Sequence, residues 1–313
     1  MLKFNNEIFE KMQYNNDSIF VCALGYEERS YYIFEKMKDK ISNENMIVFA
    51  FEDFVNTTDK KNIFKEDKFN NVDLIPVHYN DYNKFCDKLT GVIAHKREQC
   101  GSLNIHIDYS QMPRLWYCNL PKILTNVLND NNKVYFWYSE GEYQSDYEEF
   151  PTGGIDDFVP FGGMPSLRTN LQRTHILGLS YDNIRTEGIL SVLDPERIIT
   201  CNAYNSQSKQ INDNVLKINQ NIVNRATLST SFHIEDFEFM VSKIAELANE
   251  FLPIGDVVLV PDGPKPLIFA MSLIPTLIER KGIVCLQVLR NNTYKNYTEV
   301  KANGRIIGFS IQV

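Results

Sequence analysis

The chain has 313 residues, 43% of them hydrophobic and 23% charged, with a formal net charge of −8. That composition excludes a disordered chain, and the acidic balance excludes an extended surface that tracks nucleic-acid backbone, whose affinity rests on cations neutralising phosphates. No apolar run reaches the roughly 18 residues of a membrane span, and the opening residues lead into an acidic amphipathic stretch, so a cytoplasmic protein without membrane contact is expected.

Residues 1–12 read as a short helix. Strands are expected near 18–24, 46–51, 72–77, 103–108 and 133–138, with helices near 27–40, 81–95 and 115–128 between them. The strands are short, apolar and without alternation, as in Ser18-Ile19-Phe20-Val21-Cys22-Ala23-Leu24, which suits strands buried on two faces. Between Ser139 and Thr174 acids and turn formers concentrate, with Glu140, Glu142, Asp146, Glu148 and Glu149 followed by Gly153-Gly154, Pro160 and Gly162-Gly163. This marks a connection or flap. Strands are then expected near 175–179, 197–203, 226–232, 256–260 and 282–289, with helices near 185–192, an Asn-rich 213–224, 234–251 and 267–280. Asn303-Gly304 between apolar residues predicts a closing hairpin.

The two series say the same thing twice. Leu24-Gly25-Tyr26 with Arg29 recurs as Leu179-Ser180-Tyr181 with Arg185, and His78 with Asp81 recurs as His233 with Asp236. Pro113-Arg114 recurs as Pro264-Lys265, and Tyr143 as Tyr294, all in one order at offsets of 151 to 156 residues. The expected architecture is therefore α/β, with two tandem Rossmann-like doubly wound halves related by an internal repeat: 1–145, a connection over 146–173, and 174–313 ending in the hairpin.

In open parallel sheets ligands bind beyond the carboxyl ends of the strands. There the first strands lead to Tyr26 and Arg29, or Tyr181 and Arg185. The fourth lead to Asp108, Ser110 and Arg114, or Asp262, Gly263 and Lys265. These ten residues form the expected ligand-binding set, with cations for an anionic ligand and Tyr26 and Tyr181 to shape the site or stack on a base. Arg29 has a second reading, pairing with the neighbouring acids Glu27 and Glu28. Asp81 and Asp236 read as helix N-caps with His78 and His233 beside them, and His106 and His175 as core groups. Ser110 follows a strand but lacks an evident base, so no catalytic residue is named. The six cysteines are scattered without a CxxC pair and are expected to be buried free thiols, no histidine spacing fits a metal, and neither a Walker A loop nor GxGxxG is present; no cofactor or metal is expected.

Asp108-Tyr109-Ser110-Gln111-Met112-Pro113-Arg114 and Asp262-Gly263-Pro264-Lys265 resemble the fourth-strand signature of CARF domains, the CRISPR-associated Rossmann-fold sensors. The Gly-Tyr-Glu-x-Arg-Ser and Gly-x-Lys-Pro strings resemble those of uncharacterised bacterial proteins encoded beside antiphage defence genes. CARF domains hold a cyclic oligoadenylate across a dimer axis. The resemblance implies a prokaryotic antiviral-defence sensor that binds a nucleotide or cyclic oligonucleotide between its halves. With no effector domain after the repeat, signalling to a separate effector or defence-complex protein is implied. The chain lacks the family's Thr-Gly-Gly core. A cyclic-oligonucleotide-cleaving, ring-nuclease-like enzyme and a non-catalytic scaffold subunit are the alternatives.

Overall fold

The computed structural model describes residues 3–15, 17–25, 27–52, 72–126, 128, 132–142, 154–166, 172–205, 209–289 and 300–312. Tyr26, Tyr143, the acidic residues 146–149 and Tyr294 lie outside them. Two compact units divide the chain. One comprises 1–143 with 297–313, and the other 144–296.

The first unit is built on a seven-stranded sheet. Its strands are β1 (Lys3–Glu7), β2 (Ser18–Leu24), β3 (Met46–Phe51), β4 (Asp73–Val77), β5 (Asn104–Asp108), β6 (Lys133–Gly141) and β13 (Ala302–Gln312), in spatial order β1-β13-β6-β5-β2-β3-β4. From β6 to β4 all pairings are parallel. Counting only those five, the order is 5-4-1-2-3, the doubly wound arrangement that places a crevice outside the carboxyl ends of the first and fourth strands. β2 and β3 are buried at every position, which explains their unbroken apolar runs. Among the described residues its α-helices are α1 (Tyr32–Met37), α2 (Tyr82–Cys100) and α3 (Arg114–Thr125).

The second unit carries β7 (Asp157–Met164), β8 (Gln172–Gly178), β9 (Arg197–Tyr204), β10 (Leu228–His233), β11 (Gly255–Val260) and β12 (Ile283–Leu289), in order β10-β9-β8-β11-β12-β7. Its five parallel strands follow the same 3-2-1-4-5 order, and β7 closes the far side antiparallel to β12. Between them run α4 (Asn183–Leu193), α5 (Lys209–Ile218), α6 (Gln220–Arg225), α7 (Phe237–Phe251) and α8 (Lys265–Ile278).

Three expectations about elements are corrected. The N-terminal segment is not a helix: Lys3–Glu7 is a strand, followed by a 3-10 turn at Phe9–Lys11, because its backbone pairs with β13 at the opposite end of the chain. Nor do the last residues form a hairpin within the second half. β13 is one strand that joins the first unit's sheet beside β6, and Asn303-Gly304 falls in a register break between Ala302 and Ile306, with Gly304 at φ +95°. The helix expected from residue 27 starts as a 3-10 turn, Glu28–Tyr31, before α1.

Candidate functional site

At the carboxyl end of the first unit's sheet, Asp108 ends β5 almost fully buried. A buried carboxylate requires donors, and the next loop supplies them: the Ser110 amide donates to Asp108 Oδ1 at 2.8 Å, and the Ser110 hydroxyl donates to the same oxygen. The Ser110 hydroxyl in turn accepts from the Ser139 amide at 2.7 Å, tying this loop to β6. Ser110 has no exposed surface, so it braces the loop rather than presenting a nucleophile.

Arg29 has partners of its own. Its Nε donates to Glu27, and Nη1 donates to the Tyr138 hydroxyl at 3.1 Å and the Ser139 carbonyl at 3.4 Å, with the guanidinium carbon 5.6 Å from the Tyr138 ring centre. Burial works against the charge, but Tyr138 and Glu27 hold the pKa above its ordinary value. Of its two readings, the internal pairing describes this geometry. Arg114 opens α3 half-buried. It hydrogen-bonds Tyr117, whose pKa burial pushes well up while Arg114 pulls it down.

Among the described residues, the end of the first unit's first parallel strand is closely packed. A Cβ on Gly25 would lie 2.7 Å from the Phe51 ring and 3.1 Å from Gln111 Cγ. Phe51 continues an aromatic cluster in which Trp116 meets Phe51 at 5.7 Å and stacks on Phe85 at 4.1 Å. These rings meet in the edge-on and stacked geometries that aromatic pairs favour.

The second unit is arranged differently. Arg185 and Asp262 are 3% and 4% exposed, and the guanidinium Nη2 donates directly to Asp262 Oδ2. The Ser180 hydroxyl donates to the same oxygen at 3.0 Å, so the first-strand and fourth-strand loops are stitched together. Asp182 caps α4 by accepting from the Arg185 amide at 3.0 Å, and its other oxygen lies 3.8 Å from Nη1. The fourth-strand loop comes very close: Gly263 has φ +95°, and a Cβ there would meet the Leu179 carbonyl at 2.6 Å. Only glycine fits both demands. Lys265 is the first residue of α8 and half-buried, and Tyr181 packs against the core that includes Leu177 and Leu179.

Polar side chains line this edge where the first unit has aromatics. Asn202 near the end of β9 donates to Asn212, and Asn219 donates at 2.8 Å to both the Ser180 and Val215 carbonyls. Asn202 and Asn219 are 2% and 1% exposed. The buried Nε of Arg185 and Oδ1 of Asn219 make no hydrogen bond within the protein. These asparagines were not among the expected site residues. Their signal was present, an amide ending the apolar run Ile198-Ile199-Thr200-Cys201 and an Asn-rich segment beyond it.

Thus Asp108 with Ser110, and Asp262 with Arg185, are brought together, while Arg29 is held by Glu27 and β6. The other conspicuous groups have structural partners. Asp81 and Asp236 accept from the amides of Lys84 and Phe239 as helix caps, and the His78 ring accepts from the Asn80 amide. His106 is stacked on Tyr135 and accepts from Trp137 Nε1 at 3.2 Å; burial lowers its pKa to about 3. Burial, aided by Arg173, lowers that of His175 to about 4. Among the described residues no group of three His, Cys, Asp or Glu side chains is placed to hold a metal, and no helix is long and apolar enough to cross a membrane.

No protein-family model and no curated protein matches the chain. Among solved structures it is similar to a ketoreductase domain from the bacillaene assembly line, at 7% identity and a TM-score of 0.22, over 83% of this chain and 62% of that one. The chain therefore spans less than two thirds of that structure, and a likeness at this score carries no argument about activity.

Proposed function

We propose that this chain is a nucleotide-sensing accessory protein of prokaryotic antiviral defence, binding a nucleotide-type anion at the carboxyl edge of its sheets and signalling to a separate effector. The observation that carries the reading is the fourth-strand loop of each unit. A strand runs into a buried aspartate or an aspartate two residues on, and the following helix opens on a half-buried cation, Arg114 or Lys265. A cation on the first turn of a helix, beside main-chain amides, is suited to a phosphate. The resemblance to CARF domains rests on the same residues. The shared 3-2-1-4-5 strand order supports descent of the two units from one repeated unit.

Arg29 and Arg185 drop out as direct ligand contacts in this proposal, since acids already engage both. Lys265 carries the greater part, because its unit surrounds the loop with polar side chains, and Arg114 the lesser. Calorimetric titration with cyclic oligoadenylates and common mononucleotides tests the reading. Binding that Lys265→Ala weakens by about tenfold or more supports it. Absence of binding by every nucleotide, or binding indifferent to Lys265→Ala and Arg114→Ala together, overturns it.

One observation favours the scaffold reading for the first unit: Phe51 and Gln111 pack against Gly25 where a ligand would enter. Effector capture that persists in the Lys265→Ala, Arg114→Ala double variant would assign that unit a docking role. Ring-nuclease chemistry through Ser110 has no such support, since its hydroxyl is buried and engaged by Asp108 and Ser139.

A further inference from the structure

The second parallel strand of each unit can be compared residue by residue. In the first unit Leu24 of β2 stands opposite Ala50 of β3; in the second, Gly178 of β8 stands opposite Cys201 of β9, which puts Leu179 opposite Asn202. Val48, Ala50 and Glu52 thus correspond to Thr200, Asn202 and Tyr204. Alternation along β9 sets these three on one face. There the Thr200 hydroxyl donates to Ser229 at 2.8 Å, the Asn202 amide donates to Asn212 of α5, and the Tyr204 ring lies 4.4 Å from that of His233, its register partner in β10. Thr200 and Asn202 are as buried as Val48 and Ala50. Burying a hydroxyl and an amide in place of apolar groups adds little stability, since their hydrogen bonds replace those to water. The open end of the ladder differs as well. Glu52 is held by Lys84 at 2.6 Å, whereas Tyr204 is half-buried and His233 exposed. Among the described residues neither the Tyr204 hydroxyl nor a His233 ring nitrogen has a hydrogen-bond partner.

We propose, in an inference that rests on the nucleotide reading above, that Tyr204 and His233 form the subsite for the ligand's nucleobase. Both residues end their strands at the carboxyl edge of the sheet, where doubly wound folds bind ligands. In the strand order β10-β9-β8-β11, β9 is two strands and β10 three strands from β11, whose following loop leads to Lys265. At ~4.8 Å per strand the aromatic pair stands roughly 10–14 Å across the sheet from that loop, a separation that the base and phosphate of a nucleotide, or two adjoining nucleotides, bridge. An aromatic ring offers a flat base contact area whichever base it is, and the free hydroxyl and imidazole nitrogens can bond its edge. Asn202 lies next inward on the same face, so the polar character continues beneath the pair. The first unit has Glu52 at the place of Tyr204, and a carboxylate there would repel a nucleotide's phosphates rather than stack on its base.

Saturation-transfer difference NMR of the full chain with adenosine, guanosine, cytidine and uridine reads the base subsite without any phosphate. At least one nucleoside is expected to receive saturation at its base protons from wild type, and equally from Lys265→Ala. Tyr204→Ala, and Tyr204→Glu, which installs the side chain of Glu52, are each expected to weaken that nucleoside about tenfold, the size of one lost base–aromatic contact. Tyr204→Phe keeps the ring and is expected to retain most of the affinity. Circular dichroism checks that each variant is folded. No transfer to any nucleoside, or transfer that Tyr204→Ala and His233→Ala both leave unchanged, overturns the base subsite. Nucleotide binding that depends on Lys265 but not on Tyr204 overturns it too, while leaving the phosphate contact standing. Nucleoside binding that needs Tyr204, in a protein whose nucleotide affinity ignores Lys265, supports the base subsite and removes the phosphate contact instead.

Discussion

The two units share a strand order but treat the same crevice in opposite ways. In the first, Phe51 and Gln111 close over Gly25, and the strand-end aspartate is satisfied by its neighbour Ser110. In the second, Asp262 reaches a buried arginine from the first-strand loop, and asparagines take the place of aromatics. Doubly wound topology provides a crevice; the side chains at the strand ends decide whether it is packed shut or kept polar.

The sharpest way to break that comparison is to remove each aspartate. Asp262→Ala leaves the Arg185 charge buried without its main counter-ion and is expected to cost about 3–5 kcal/mol. Asp108→Ala removes the acceptor of a neutral amide and a hydroxyl, about 1–3 kcal/mol. Urea unfolding of both variants measures the difference, and equal costs would mean that Arg185 finds another acceptor. A smaller effect is expected from Gly25→Ala, about 1–3 kcal/mol by overpacking against Phe51. Adding Phe51→Ala should recover part of that loss; strictly additive costs would show that the ring does not fill the crevice.

Acid sensitivity sharpens the picture further. His106 and His175 have folded pKa values of about 3 and about 4, against an ordinary 6.5, chiefly through burial. Above 6.5 neither the folded nor the unfolded state binds the proton. Below it the unfolded chain takes protons that the folded chain refuses, so stability falls as pH drops from 6.5 toward 3 or 4. The slope is about 1.4 kcal/mol per pH unit for each histidine. His106→Phe should flatten the slope in the first unit alone, read from unfolding at pH 6.5, 5.5 and 4.5. The smallest expected change is for Lys265→Ala, within about 0.5 kcal/mol, because a half-buried surface cation contributes little to folding. A large loss would recast Lys265 as structural.

How much of this was legible in the sequence follows from how local each cause is. β2 and β3 were expected with their observed ends because burial on two faces leaves an uninterrupted apolar run. β1 and β13 were misread because their identity depends on pairing between Lys3 and Gln312 across nearly the whole chain. Asp108 and Asp262 were recognisable as strand-end acids. The partners of Arg29 and Arg185 were not, although the motifs correspond. Glu27 has the reach to engage Arg29 directly, whereas the shorter Asp182 turns back to cap its helix, and Arg185 extends to Asp262. The second motif also carries one more residue between acid and arginine, so Arg185 sits a helical step further from Asp182 than Arg29 does from Glu27, and the sequence does not show which acid each arginine reaches.

The central claim is that a nucleotide-type anion is held at the second unit's fourth-strand loop, at the start of α8. Titration calorimetry of cyclic oligoadenylate into wild type, Lys265→Ala and Arg114→Ala tests it most directly. The account predicts saturable binding that is weakened about tenfold or more by Lys265→Ala and less by Arg114→Ala. No heat of binding with wild type, or an affinity the lysine variant leaves unchanged, would contradict it.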